Sequence, residues 1–440
     1  MMDRLAITYS GTINLFRFSL QRHMPSSPYK EFQSWAISKD NPHFNTWEQI
    51  VGIPQFAKLT FTLLDGLTTD DKWETLIEYA SWMNAYLIYE TVSDNLAIGL
   101  ANQHSPDKTA SIRRHILRQF DAAMICALQG NREEAIRTMN MIREDVAHIS
   151  TFSQSLTNEE LRAMASLFVK RNDHYNVEDV EYDVWAALVA NIEACVDVVE
   201  RLKGTQLADY LQQGLIWRYD AVNRLLNHRK HSAEEVLSIS THSILVIPVL
   251  TYYIAVLKEL LEQNPAIKVV HENGLLHQAL SDAALMVRLL NDLGTPLLVS
   301  SHDHAALFNN LYEQSQHYMN GSRTLGEFLL EMASTNPLLT RIHKDLAFGE
   351  FNVSLQNIAH LPLSPETLLL FGTNVIFLHH RYAQCRRRLE KNLSILEAEL
   401  GDSVASQLIQ RFVDFHEYIY GYRFDSQAGD YATKPDKRFA

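Results

Sequence analysis

The polar residues most suited to a chemical role are Asn291 and Thr295. They lie near the end of a long apolar stretch that predicts a helix. Residues four apart lie on one face of a helix, so these two side-chain oxygens are expected to point the same way. Oxygen ligands of this kind suit a hard divalent cation such as Mg²⁺. An Asn-Asp pair beside a glycine is also typical of a plain helix end. The pattern therefore predicts either half of a metal site or a helix terminus.

Two acidic pairs elsewhere in the chain could supply further oxygen donors. Glu90 and Asp94 are four apart and end an aromatic, apolar segment. The alternative is the Glu144-Asp145 pair, which follows a more polar segment. We favour Glu90 and Asp94, because a polar segment cannot line an apolar cavity. Acids at either position could also simply form a solvent-facing helix surface.

Helices must position these residues, because glycine and proline, at 16 and 12 of 440 residues, leave long stretches without a helix breaker. Between Trp185 and Leu202 the apolar residues recur every three or four positions, which predicts a core-facing helix ending at Gly204. No strand-like alternation is present. The sequence therefore predicts an all-α fold. Further helices are expected over 207–228, 233–263, 271–293, 324–332, 366–400 and 404–420.

Three regions are expected along the chain. Residues 1–70 are rich in proline and aromatic residues with weak periodicity, which predicts an N-terminal irregular or helical strap. Residues 71–425 are predicted to form one large α-helical domain, and a 46% hydrophobic composition is ample for its core. Residues 426–440 are polar and expected to fray.

Composition also excludes some classes of function. A net charge of −13 argues against a nucleic-acid partner, whose phosphates require basic patches. The three cysteines have no zinc-site spacing, and such an odd count suits a reducing cytoplasm. No signal-peptide pattern and no run of about 18 apolar residues is present, so a cytoplasmic protein without a transmembrane segment is expected.

Residues 182–303 resemble class I terpene synthases in the order and spacing of their motifs. Ala233-Glu-Glu-Val-Leu237 stands where that family has a Pro-Thr-x-Glu-Glu-Tyr-Leu helix entry, and it precedes Asn291 by a distance similar to the family's. Tyr210-Leu-Gln-Gln-Gly-Leu-Ile-Trp217 resembles the preceding family helix. The resemblance implies a class I terpenoid synthase-like helical bundle, here with an N-terminal extension and extra helices.

The resemblance also implies a Mg²⁺ cluster that binds the diphosphate of a prenyl substrate. Two departures stand out: Thr91 replaces a second aspartate of the first motif, and Val299 replaces a glutamate of the second. Asp303 is the nearest carboxylate that could substitute for that glutamate. The implied metal ligands are Glu90, Asp94, Asn291, Thr295 and Asp303.

Other residues are assigned roles by the same resemblance. Arg381-Tyr382 resembles a pair that closes over the diphosphate, although it lies inside a strong helix pattern. Arg224 and Arg229 could reach the diphosphate, and a solvated basic turn is the plain alternative. Small hydroxyl residues and aromatic side chains would line the apolar pocket, where an ordinary core role is the alternative. These are Ser240, Ser243, Trp82, Tyr86 and Tyr89.

The predicted function is Mg²⁺-dependent ionisation of a prenyl diphosphate, giving a terpene alcohol or olefin. No class II Asp-x-Asp-Asp motif is present. A bicyclic diterpenyl diphosphate supplied by a separate class II cyclase, or a linear one, is the expected substrate. The alternative is a non-catalytic helical binding or partner protein on a terpene synthase scaffold, because fold resemblance alone does not establish activity.

Overall fold

The computed structural model describes residues 3–97, 108–149, 159–226, 231–299, 304–318 and 323–421. Within these ranges every regular element is helical, apart from one isolated antiparallel bridge between Thr324 and Pro362. The predicted all-α class is confirmed. The helices are α1 Arg4–His23, α2 Pro28–Ala36, α3 Phe44–Val51, α4 Ile53–Leu64, α5 Asp70–Ala97, α6 Lys108–Leu128, α7 Arg132–Met141, α8 Arg143–Ile149, α9 Glu159–Val169, α10 Val177–Tyr182, α11 Trp185–Arg201, α12 Ala208–Leu225, α13 Ala233–His242, α14 Val246–Ala255, α15 Ala266–Glu272, α16 Leu275–Val299, α17 His304–Ser315, α18 Leu325–Ala333, α19 Thr340–Phe348, α20 Pro365–Leu400 and α21 Val404–Ile419.

The N-terminal segment, predicted as an irregular or helical strap, contains four helices, α1 to α4. Helix α1 packs along α5, and a Cβ atom at Gly11 would come within 2.8 Å of side chains on α5, so the two helices approach closely there. Its core face includes Thr8 and Thr12, whose hydroxyls donate to carbonyls one turn back at 2.8 and 2.9 Å. These polar core residues explain the weak apolar periodicity of the sequence, because each hydroxyl is satisfied within the helix itself.

Two groups of helices build the core. One contains α5, α6, α11 and α12, and the other contains α13 to α16 with α20 and α21. Helix α12 joins them, since it packs on α6 and also on α13 and α14. Helix α16 is buried along most of its length and packs most extensively on α20. The C-terminal helix α21 reaches back to the N-terminal region, where Arg411 donates to the carbonyl of Asp65 at 2.6 Å.

Local sequence signals explain several helix ends. Ser232 and Thr324 begin α13 and α18 as capping boxes, each paired with a glutamate three residues on. Gly401 ends α20 with a left-handed conformation, φ 75°, that a glycine adopts without strain. The predicted range 366–400 thus agrees closely with α20.

The predicted helix over 233–263 is interrupted. Helix α13 ends at His242, α14 starts at Val246, and a π-helical turn covers Val256–Leu261. The stretch Ala233–Leu261 is long and apolar enough to cross a membrane, although 72% of its most apolar window is buried inside the protein. Helices α16 and α17 pass the same test only if the bent pair counts as one span. Within the π-helical turn, fully buried Lys258 binds the carboxylates of Glu262 and Asp402.

Candidate functional site

The first predicted metal ligand, Glu90, lies inside the core and is bound by protein donors. Its side chain on α5 is almost fully buried, and Arg218 of α12 forms an ion pair with Oε1 at 2.6 Å. The Nδ2 of Asn191 and the hydroxyl of Tyr219 donate to Oε2 at 2.8 and 3.0 Å. The carboxylate therefore joins three helices, and its oxygens are already engaged.

Of the other residues of the first motif, the structure describes the side chain of Thr91 but not that of Asp94. The Thr91 hydroxyl donates to the Ile88 carbonyl at 2.7 Å, an interaction within its own helix. Asp94 is on α5, but its side chain lies outside the described residues. The alternative pair, Glu144-Asp145, begins helix α8, where Asp145 is partly exposed and 3.9 Å from His115.

The second predicted motif lies at a kink in α16. Gly294 has φ 78° and ψ 161°, so the helix is broken between Asn291 and Thr295, and the two no longer follow the geometry of one continuous helix. Arg341 of α19 donates to both the side-chain oxygen and the carbonyl of Asn291, each at 2.7 Å. The Thr295 hydroxyl donates to the Glu417 carbonyl of α21. Asp303 lies outside the described residues.

The kink has a local cause. Pro296 has no N–H to donate to the preceding turn, and glycine is the residue that tolerates a positive φ. The N–H of Thr295, freed from the helix, donates instead to the Tyr420 carbonyl at 3.1 Å. The helix is therefore bent at Gly294, and the C-terminal segment holds the bend through Tyr420.

Asp292, beside the predicted ligand, is the centre of a buried polar cluster. Arg288 binds Oδ1 at 2.6 Å, and the Val353 N–H donates to Oδ2 at 3.0 Å. The Nδ2 of Asn352 donates to the Asp292 carbonyl at 2.8 Å and to the Asp345 carboxylate at 2.7 Å.

Burial raises the pKa of Asp345 to about 7, against the opposing charges of Lys344 and Arg341. We call this group, with Arg341, the Asp292 cluster.

Sequence reasoning missed most of this cluster. Arg288 is four residues before Asp292, a spacing that favours an ion pair on a helix, so it could have been found. Arg341, Asp345 and Asn352 are about 50 or more residues away, and no local pattern marks them as partners.

The described oxygens do not form a metal site in this arrangement. Among the described residues no group of three or more His, Cys, Asp or Glu side chains could hold an ion. Glu90, Asn291 and Thr295 have oxygen donors of the type that Mg²⁺ prefers, but each already contacts a protein group. Helix α5 packs chiefly on α1, α4, α6 and α11, whereas α16 packs on α13, α14 and α19 to α21.

The predicted pocket aromatics are part of the packed core. Trp82 stacks under the Arg201 guanidinium at 4.0 Å, and Tyr89 packs on Phe16 with ring centroids 5.1 Å apart. The Tyr86 hydroxyl is 2.7 Å from that of Tyr219, and burial raises the pKa of Tyr86, with the nearby Glu90 charge acting in the same direction. These contacts are those of core residues.

The predicted small hydroxyl residues lie at the break between α13 and α14. Ser240 donates to the Leu237 carbonyl at 2.9 Å, and Ser243 donates to the Ser240 carbonyl at 2.8 Å. Both hydroxyls therefore terminate α13 rather than stand free. Helix α14, which follows, is buried at every position.

The two residues of the predicted diphosphate-closing pair, Arg381 and Tyr382, lie in different environments. The Tyr382 hydroxyl donates to the Glu417 carboxylate, and burial together with that carboxylate raises the pKa of Tyr382. The Arg381 guanidinium carbon is 6.0 Å from the Phe377 ring centroid, and its buried Nε has no hydrogen-bond partner among the described residues. Arg224 is exposed and 3.9 Å from Asp220, while Arg229 lies outside the described residues.

Comparison with known proteins adds no assignment. No protein-family model, curated protein or solved structure matches this chain. The class of protein defined by the fold is therefore an all-α helical protein, and the resemblance to class I terpene synthases remains a prediction from the sequence.

Proposed function

We propose that this protein ionises a prenyl diphosphate in a Mg²⁺-dependent reaction, with a bicyclic or linear diterpenyl diphosphate as substrate and a terpene alcohol or olefin as product. One observation carries the proposal: the polar segment around Asn291 interrupts a long, largely buried apolar helix and lies beside two buried arginines, Arg288 and Arg341. Buried polar groups cost free energy, and such groups concentrate at functional sites.

The residues of the chain have distinct parts in this proposal. Arg341 would turn from Asn291 to the diphosphate, because a guanidinium binds two phosphate oxygens at once. The apolar α14, which follows the break after Ser243, would face the hydrocarbon and exclude water. Mg²⁺ would supply charge neutralisation of the leaving diphosphate. A separate class II cyclase would supply a bicyclic substrate, and the reaction would take place in the cytoplasm.

The second candidate function is a non-catalytic helical protein that binds a partner. The observation that favours it is that Glu90 and Asn291 accept from protein donors and the Thr295 hydroxyl donates to the Glu417 carbonyl, since a metal would have to displace these contacts. Under this hypothesis the polar groups hold helices together.

An activity assay separates the two candidates. Purified protein is incubated with Mg²⁺ and with linear and bicyclic prenyl diphosphates, and inorganic diphosphate and extracted hydrocarbon are both measured. The enzyme hypothesis expects metal-dependent release that falls at least about a hundredfold in Asn291→Ala and in Asp94→Ala. The exposed Asn140→Ala variant is the matched control and should keep full activity.

The opposite result is equally informative. If folded protein releases no diphosphate from any substrate, the non-catalytic hypothesis is supported. Release that is unaffected by Asn291→Ala would show that the reaction takes place without the second predicted motif.

A further inference from the structure

A small cavity lies between α13, α20 and the short 3₁₀ turn Val353–Leu355, and none of its described lining residues is a predicted metal ligand. Its volume is about 190 Å³. Buried Leu237, Val353 and Leu378 line its interior, while Leu370 and Phe377 at the rim are 47% and 40% exposed. An apolar cavity of about 150 Å³ holds one benzene molecule, so this one accommodates roughly six to eight carbon atoms.

The wall of the cavity carries a hydrogen-bond donor without a partner. The Nε2 of Gln356 is buried and makes no hydrogen bond to the described part of the chain. The next residue, Asn357, has φ 60°, an uncommon conformation that fixes the turn carrying Gln356. A buried N–H without an acceptor costs about 1–3 kcal/mol, so an acceptor on a ligand would be favourable here.

A positively charged side chain, that of Arg381, lies beyond the cavity on the same face of α20. Asn374, Phe377 and Arg381 are spaced by three and four residues on α20, so Arg381 follows the cavity wall by one turn. Its guanidinium lies 6.0 Å from the Phe377 ring centroid, and its buried Nε is unpartnered within the described ranges.

The charges around this arginine leave it available. Nearby Arg386 and Arg388 form ion pairs with Glu417 and Asp282, whereas Arg381 has no ion pair with any described residue. None of the described residues lining the cavity is charged. Nothing on the described walls of the cavity therefore competes with a ligand for the guanidinium.

We propose that this cavity binds a small amphiphilic anion. The apolar body, of roughly six to eight carbons, fills the space between α13 and α20. Oxygen atoms of one carboxylate or phosphate head accept hydrogen bonds from the Gln356 N–H and from Arg381. The site uses none of the predicted metal ligands, but it shares Arg381 with the predicted diphosphate-closing pair. The proposal does not rest on the proposed function.

Four probes test the proposal by calorimetric or ligand-observed NMR titration of the full chain. Hexanoate and hexyl phosphate should bind with one-to-one stoichiometry, and comparing them distinguishes a carboxylate from a phosphate head. Hexanol lacks the charge and should bind at least about tenfold more weakly. Inorganic phosphate lacks the apolar body and should not bind measurably.

Matched variants locate the site. Arg381→Met keeps an apolar stem on Phe377 but removes the charge, so it should weaken hexanoate about tenfold or more and leave hexanol unchanged. Arg387→Met, on an exposed face of the same helix, should change neither. Ala233→Trp, at an exposed position of the cavity wall, should block both ligands.

Three results would overturn the proposal. They are no binding of either anion, equal affinity for hexanoate and hexanol, and unchanged binding in Arg381→Met. Circular dichroism and thermal melting establish that each variant is folded. If Ala233→Trp does not fold, Gln356→Leu takes its place, with weaker binding of both anions expected from loss of the N–H donor.

Discussion

Glu90, a predicted metal ligand, is a buried carboxylate with protein partners. With Arg218 it forms an ion pair in which both side chains are nearly inaccessible to water. Attraction between buried charges roughly offsets their desolvation, so the pair itself adds little net stability. Removal of one partner is far more costly, because the remaining charge stays buried without compensation.

This difference gives a prediction for the pair. Arg218→Met should lower the free energy of unfolding by about 3–5 kcal/mol, and the double variant Glu90→Gln with Arg218→Met should recover much of that loss. Urea denaturation followed by circular dichroism measures both. The exposed pair of Arg137 with Glu134 is the control, where Arg137→Met should cost less than about 1 kcal/mol. Equal losses at the two sites would contradict the assignment of a buried, coupled pair.

At the level of single residues, the sequence identified polar positions better than their partners. It selected Glu90 and Asn291, and both are buried or half-buried and hydrogen-bonded. It could not anticipate Arg218 or Arg341, because each lies on another helix and neither shares a local pattern with its partner. Partner choice depends on tertiary packing, which spacing along the chain does not encode.

The bend in α16 is the element on which the second predicted motif depends. A Cβ atom at Gly294 would come within 3.1 Å of the Arg341 side chain and 3.2 Å of the Tyr420 carbonyl. Its positive φ also disfavours any residue with a side chain. Strain and crowding therefore act together at this position.

Gly294→Ala should consequently destabilise the protein by roughly 2–4 kcal/mol, the combined effect of an unfavourable backbone conformation and displaced neighbours. Thermal and urea unfolding measure the change. Gly66→Ala is a suitable comparison, since Gly66 has φ 74° but a Cβ atom added there would meet no described atom within 4 Å. It should cost only about 1–2 kcal/mol. A smaller loss at Gly294 than at Gly66 would argue against crowding at the kink.

Helix prediction succeeded where apolar periodicity was uninterrupted. The stripe from Trp185 to Leu202 predicted α11, and the range 404–420 agrees with α21 within one residue. It was less accurate within the range 233–263, which is divided after His242, whereas the range 271–293 ends where α16 bends at Gly294. A break depends on which neighbouring groups can take the freed backbone hydrogen bonds, and Tyr420, which does so for Thr295, is 125 residues away.

For the whole molecule, the Asp292 cluster links stability to pH. Burial is the main cause that raises the Asp345 pKa to about 7, and Asp292 reinforces it. The folded state therefore holds a proton between about pH 4 and pH 7 that the unfolded chain has lost. Stability contributed by this group is greatest below about pH 4 and declines as pH rises to about 7.

Asp345→Asn imitates the protonated carboxyl and keeps an oxygen for Asn352. It should exceed the wild type in stability at pH 8 by more than about 1 kcal/mol, and the difference should vanish near pH 4. Urea unfolding at several pH values gives the comparison. Asp173→Asn, at an exposed position, should leave the pH profile unchanged. A loss of stability in Asp345→Asn at pH 8 would refute the proposed protonation.

The buried Lys258 has a consequence for the order in which the chain is synthesised. Its ammonium lies in the 29-residue apolar stretch Ala233–Leu261 and is neutralised partly by Asp402, 144 residues later. At a synthesis rate of about 5–20 residues per second, Asp402 follows Lys258 by roughly 7–29 s. Until then the nascent chain has an apolar segment whose cation lacks its second partner and which α21 does not yet cover. A chaperone on the ribosome would protect this segment during that interval.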